Sequence, residues 1–136
     1  MAVLSILSDL AEETGTRALA SMVPPVAPEG RSRIDRVLNH LHQAYAGEVR
    51  VRDLANLAAL SESGLHRMFA KHTHGTISAY VAQLRIGHAC ARLAGSDQPV
   101  AHIATEAGYA NLAHFNRQFR ALRGMTPREY RASFRR

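Results

Sequence analysis

Arg67 and Arg117 are the residues of this sequence whose type and placement point most directly to a chemistry. Arginine offers a planar fork of donors that suits phosphate oxygens and the O6/N7 edge of guanine, a contact worth ~1–3 kcal/mol of base discrimination. Each lies in a stretch with helical spacing, on the side away from the apolar positions: Ser63, His66, Arg67 and Ala70 in one, Ala113, Asn116, Arg117 and Arg120 in the other. Ser63, His66 and Asn116 can exchange hydrogen bonds with base edges, and Ala113 can touch a thymine methyl. The competing arrangement leaves each arginine in solvent or pairs it with Glu62 or Glu106.

The histidines suggest a different chemistry. His72-x-His74, His40-x-His42 and the His88/Cys90 pair are the candidate metal ligands among the 8 His. Their spacings match no standard zinc signature, and Cys90 has no companion thiols. We therefore expect no metal, no cofactor and no catalysis.

Charge supports the arginine reading. The 136 residues carry 17 Lys+Arg against 11 Asp+Glu, a net charge of +6, and Lys71 is the single lysine. The balance is uneven: residues 1–30 hold Asp9, Glu12, Glu13 and Glu29 against Arg17, a net −3, which leaves +9 on residues 31–136. A GC-rich coding sequence would also favour arginine, so composition alone only hints at an acidic polymer as partner. With 46% apolar residues and no apolar run near the ~18 a span needs, a membrane protein is excluded. The lone Cys90 forms no internal disulfide, and the acidic turn after the first apolar residues fits no signal peptide. The expected compartment is the reducing cytoplasm.

The elements that would position these side chains are all helical. Leu4, Leu7, Leu10 and Ala11 space a short helix over 1–22, stopped by the Pro24–Pro28 run. Ile34, Val37, Leu38, Leu41 and Tyr45 form a helix ended near Gly47. A short helix over Asp53–Ala59 is followed by Ser61, an N-cap for a helix with Leu65, Met68 and Phe69 inward, a helix-turn-helix closed at Gly75. Thr76 caps a long helix to about Ala94 whose apolar residues form two series: Ile77, Tyr80, Val81, Leu84 and His88, then Ile86, Ala89, Cys90 and Leu93. The series point to roughly opposite sides, so this helix should pack on one body with its first half and on another with its second. Val100–Ala107, Gly108, the Asn111 cap and a helix with Phe115, Phe119 and Leu122 repeat the pattern to Gly124. Thr126-Pro127-Arg128-Glu129 is a capping box opening a last helix to about Phe134.

The two halves superpose. Leu54-Ala55 matches Ile103-Ala104, Ala58 matches Ala107, Leu65 matches Phe115, Arg67 matches Arg117, Phe69 matches Phe119, Thr76 matches Thr126 and Tyr80 matches Tyr130. This is a duplicated unit. Two such helices held about one duplex turn apart (~34 Å) can enter successive major grooves from one face of DNA, and a bridging helix of ~27 Å suits that separation. One chain would then read a non-palindromic site. Caps and nearby cations position phosphates, which nominates Ser61, Lys71, Thr76, Asn111, Arg120, Arg128 and Arg131.

The stretch Gly108–Arg131, read with Leu84-Arg85-Ile86, Ala89, Leu93 and Leu60-Ser61 followed by Leu65 and Phe69, resembles the C-terminal signature of AraC/XylS-type bacterial transcription regulators over about residues 31–134. The resemblance implies an all-α domain of about seven helices. It has two helix-turn-helix lobes, about 31–75 and 96–134, joined by a central helix over 76–94, with the third and sixth helices in major grooves. Double-stranded DNA is then the partner, and the second lobe often faces RNA polymerase in activators. Members usually carry an N-terminal cupin-like sensor; only about 30 residues precede the domain here, and Leu4–Met22 resembles the helical tail after such a barrel. The expectation is a fragment or a shortened member without its sensor, with Leu4–Met22 as a surface for self-association. Ile77 replaces a frequent proline, Gly64 sits inside the first reading helix at a cost of about 1 kcal/mol relative to alanine, and Ala113 is short for a reading position. The alternative function is a protein-interaction module, an anti-regulator that has lost productive DNA binding.

Overall fold

The computed structural model describes the backbone from Pro28 to Arg135 and side chains from Ser32. The helix expected over 1–22 lies outside the described residues. The chain divides between Arg31 and Ser32 into two units, and the account below concerns the second.

Seven helices and no strand occur among the described residues: α1 (Pro28–Ala44), α2 (Val51–Ala58), α3 (Glu62–Thr73), α4 (Ile77–Gly95), α5 (Val100–Ala107), α6 (Leu112–Arg123) and α7 (Pro127–Ser133). The all-α architecture follows the periodicities. Two boundaries differ from expectation. α1 opens at Pro28, where a missing N–H is harmless because a helix's first donors are unpaired anyway, and α2 opens at Val51, ahead of Asp53.

Caps set the other boundaries. Ser61 Oγ accepts from Gly64 N, Thr76 Oγ1 from Ala79 N and Asn111 Oδ1 from His114 N. The capping box forms as expected: Glu129 N donates to Thr126 Oγ1 at 3.1 Å while Thr126 N donates to a Glu129 carboxylate oxygen at 2.8 Å. The Thr126 N–H, with the Thr126 hydroxyl beside it, holds the Glu129 carboxyl below the usual carboxylate range. Gly64 supplies the N–H for the Ser61 cap, and an added Cβ there would lie only 3.2 Å from Ser61 Oγ. Its place in the first turn, rather than mid-helix, is why glycine is tolerated.

Two cores form, and α4 belongs to both. Ile34, Val37, Leu41, Leu54, Ala55, Ala58, Leu65 and Phe69 bury with Ile77 and Val81 from the start of α4. Ile103, Ala104, Ala107, Tyr109, Phe115 and Phe119 bury with Ile86, Ala89, Cys90 and Leu93 from its end. Ile77, the replacement for a frequent proline, is 4% exposed and adds apolar surface to the first core. The repeat survives at ring level: Phe69–Tyr80 and Phe119–Tyr130 both meet edge-on with centroids 5.6 Å apart. His88, grouped by spacing with the apolar residues, is instead a polar link, with Nδ1 3.0 Å from the Tyr45 hydroxyl.

The repeat also dictates left-handed helix ends that glycine does not always occupy. In the second lobe Gly108 (φ 111°) and Gly124 (φ 77°) close α5 and α6, whereas the equivalent places after α2 and α3 hold Ala59 (φ 58°) and His74 (φ 60°). His74, not Gly75, takes the left-handed position after α3. That conformation costs a non-glycine residue ~1–2 kcal/mol, against ~0.4–1 kcal/mol for the extra unfolded freedom of glycine. Ala59→Gly is therefore expected to stabilise the protein by about 0.5–1 kcal/mol, measured by urea unfolding. Gly108→Ala should destabilise it by more than that, since the new Cβ would also lie 2.9 Å from Arg85 Nε and 3.1 Å from the Ala46 backbone.

Candidate nucleic-acid interface

The fold assigns its cations to two groups. Besides Arg33, seven arginines bond to other groups of the fold. Arg36 donates to Leu57 O, Arg85 to Tyr45 O and Gly47 O, Arg123 to Cys90 Sγ, and Arg131 to Leu93 O (3.2 Å) and Ser96 O (3.0 Å). Arg50 pairs with Glu48, Arg92 with Glu106 and Arg135 with Asp97. A second group, Arg52, Arg67, Lys71, Arg117, Arg120 and Arg128, enters no hydrogen bond or ion pair among the described residues, and all six are exposed. Arg120 lies in electrostatic reach of the Glu129 carboxylate.

Five of those six are among the residues nominated from the sequence, and they lie on α3, α6 and the first turn of α7. All six candidate readers, Ser63, His66, Arg67, Ala113, Asn116 and Arg117, are exposed, because Leu65 and Phe69 in α3 and Phe115 and Phe119 in α6 turn the opposite faces inward. The alternative ion pair with Glu106 does not form. That carboxylate lies 3.4 Å from Arg92, 3.6 Å from His88 Nε2 and 3.7 Å from His102. Burial alone would raise its pKa, but Arg92, His88 and His102 together outweigh it and hold the carboxyl below its ordinary range.

The candidate phosphate positioners divide similarly. Ser61, Thr76 and Asn111 accept backbone N–H groups as caps, yet each keeps a side-chain donor, a hydroxyl hydrogen or the amide NH₂, for an anion. Arg131 stands apart. Its guanidinium ties α7 to the two carbonyls at the end of α4, so two of its five N–H donors are already engaged.

Neighbouring residues of α6 face different spaces. Asn116 joins Leu112, Pro127, Arg128 and Arg131 along a groove of about 910 Å³ between α5, α6 and α7. Arg117 lies with Ser78, Ala82, His114 and Gln118 along a cleft of about 430 Å³ between α4 and α6. Ser78, His114 and Gln118 were not nominated by spacing, and neither was Arg52. The cleft that collects the first three is made by the packing of α6 against α4. For Arg52 the sequence carries no such signal, since Glu48 and Asp53 both lie within four residues of it.

The candidate metal ligands are separated by the fold. His42 Nε2 lies 2.8 Å from the Tyr80 hydroxyl, and His88 sits between Tyr45 and Glu106. Among the described residues no cluster of three or more His, Cys, Asp or Glu is arranged to hold a metal ion, and no helix is long and apolar enough to cross a membrane.

Comparison with known proteins agrees with this geometry. A family model described as a helix-turn-helix domain matches residues 54–133. The HTH-type transcriptional activator RhaR of Yersinia pseudotuberculosis serotype O:1b (strain IP 31758) is 32% identical over 107 residues, 79% of this chain and 37% of its own length. The HTH-type transcriptional activator RhaS of Escherichia fergusonii is 38% identical over 107 residues, 76% of this chain and 38% of its own. The chain thus spans under two fifths of the length of these relatives. Among solved structures, the DNA-binding domain of AdpA, a global transcriptional factor in complex with a target DNA, is 26% identical and covers 79% of this chain and 93% of its own, with a TM-score of 0.66. With its seven helices, its duplicated helix-turn-helix and this matched span, the chain belongs to the AraC-type helix-turn-helix family of bacterial transcription regulators.

Proposed function

We propose that this chain reads a specific promoter site in double-stranded DNA by placing α3 and α6 in successive major grooves. The observation that carries the reading is the pair Arg67 and Arg117. They occupy equivalent positions of the repeat, both are exposed, and neither has a partner among the described residues. A fold that commits seven other arginines internally leaves these two on the faces of its repeated helices. Ser63 and His66 flank the first and Ala113 and Asn116 the second as base-edge contacts. Ser61, Lys71, Thr76, Asn111, Arg120 and Arg128 serve phosphates at the margins, while Arg131 supports α7. α4, with 19 residues, is ~28 Å long at ~1.5 Å per residue, which suits two grooves about ~34 Å apart. The AdpA domain, solved on a target DNA, supports the same use of this fold. The names of RhaR and RhaS as activators support RNA polymerase as a second partner of the DNA-bound chain. Leu4–Met22 remains the proposed self-association segment, and a DNA-reading role places the protein in the bacterial cytoplasm.

The test begins with duplexes selected from a random pool by the purified chain. Affinity should fall steeply as salt rises, because displaced counterions drive much of the binding; the three cationic phosphate contacts from Lys71, Arg120 and Arg128 correspond to a log–log slope of about −3. No association at low salt would instead favour the protein-interaction module. Arg67→Ala and Arg117→Ala should leave the melting temperature essentially unchanged, as exposed side chains without partners do. Each should relax preference at a different position of the selected site, the two positions lying about a duplex turn apart, at a cost of ~1–3 kcal/mol for the cognate base. Uniform weakening on every sequence would reassign that arginine to a phosphate.

A further inference from the structure

We propose that Arg85 is the positioning residue that locks the two lobes at a fixed angle and thereby sets the base-pair spacing at which α3 and α6 read DNA. The consequence for DNA rests on the two-groove reading above; the lock itself does not.

The side chain leaves α4 near its middle, between the half that enters the first core and the half that enters the second. Its Nε donates to Tyr45 O at 2.6 Å and its Nη2 to Gly47 O at 3.0 Å, two carbonyls just past the end of α1 in the first lobe. The same guanidinium lies over the ring of Tyr109, 5.6 Å from its centroid, in the second lobe. Tyr109 is itself 4% exposed, packed on Phe115 and hydrogen-bonded to Gln118. One planar group thus touches both lobes, with directional bonds to one and a ring face on the other.

Its surroundings leave little play. Gly108 (φ 111°), at the turn of the second helix-turn-helix, has no room for a Cβ, which would lie 2.9 Å from Arg85 Nε and 3.1 Å from Cα and O of Ala46. Backbone of the second lobe therefore approaches backbone of the first directly beside the guanidinium. One turn along α4, His88 repeats the bridge, with Nδ1 3.0 Å from the Tyr45 hydroxyl and Nε2 3.6 Å from Glu106. Neither core includes Arg85, so each lobe keeps its apolar packing without it.

Geometry makes such a lock consequential. Base pairs are stacked ~3.4 Å apart, and the reading helices are separated by about the ~28 Å length of α4. A swing of about 14° at the middle of that helix, acting over the ~14 Å to its end, would move one reading helix by about one base pair.

The first arm of the test needs no DNA. Spin labels on Ala70→Cys of α3 and Ala121→Cys of α6, in a Cys90→Ala background, should give one narrow distance distribution with Arg85 in place. Arg85→Met should broaden it or split it. An unchanged distribution in a variant that melts normally would overturn the proposal. In the second arm, unlabelled protein binds its selected site with one base pair inserted or removed between the two half-sites. Arg85 protein should lose about tenfold or more, and Arg85→Met should bind all three spacings within about threefold of one another. A spacing preference of about tenfold or more retained equally in both proteins would also overturn it. If the parent protein shows no spacing preference while Arg85→Met still broadens the distances, the lock stands and the two-groove reading fails. Should Arg85→Met not fold, Arg85→Lys carries the same two arms, since it retains the stem and charge but cannot bridge both carbonyls.

Discussion

A single helix can belong to two hydrophobic cores only if its buried face changes side partway along, and everything in this molecule follows from how α4 does so. From Ile77 to Val81 the buried face turns by about 40°, whereas from Val81 to Ile86 it turns by about 140°, at ~100° per residue. The residues between cannot be apolar on both sides without exposing one. Arg85 lies in that zone and His88 just beyond it, amphipathic side chains that bury their stems and direct polar heads to partners. Arg85 finds the carbonyls past the end of α1, which a helix leaves without intrahelical donors. The joint between lobes is thereby built from groups that the first lobe already needed to satisfy.

The same economy divides the cations. Net charge counts every arginine alike, yet Arg36, Arg85, Arg123 and Arg131 donate to carbonyl or sulfur atoms with no anion involved. They contribute to the field around the domain while some of their donors are spent within it. The exposed cations without an internal partner are concentrated on α2, α3, α6 and the start of α7. A charge of one sign gathered on the exposed faces of two repeated helices steers an acidic polymer toward those faces, and salt screens that steering within a Debye length, ~10 Å at 0.1 M.

Legibility from the sequence tracked how local each determinant is. Periodicity located the seven helices, and the cap residues Ser61, Thr76, Asn111 and Thr126 act as their types suggest, because a cap involves residues three apart. The repeat located Arg67 and Arg117 and even the ring pairs Phe69–Tyr80 and Phe119–Tyr130. What escaped depends on residues far apart in the chain. Arg131 resembled a free cation because Leu93 and Ser96 are 38 and 35 positions away, and His88 passed for an apolar position because Tyr45 lies 43 residues earlier. Ala59 and His74 escaped for another reason. The left-handed turn is set by the α2–α3 and α3–α4 packing, and the glycine that announces it in the second lobe is simply missing from the first.

A duplicated reader gains from its second half only to the degree that the first half orients it. If the two lobes were joined by a free swivel, the pose that fits both grooves would be one among many, and apparent affinity would fall by the fraction of time it is populated. A competent pose held one tenth of the time weakens binding tenfold, about 1.4 kcal/mol, comparable to losing one good base contact. An apolar joint would resist separation but not sliding, since the hydrophobic effect is non-directional. Two hydrogen bonds from one planar guanidinium to Tyr45 O and Gly47 O, with Tyr109 against its face, define an angle as well as a distance. On the proposed two-groove reading, the polar centre of α4 is thus what allows one chain to present two reading helices in a fixed register, a task that a symmetric dimer accomplishes with a second subunit.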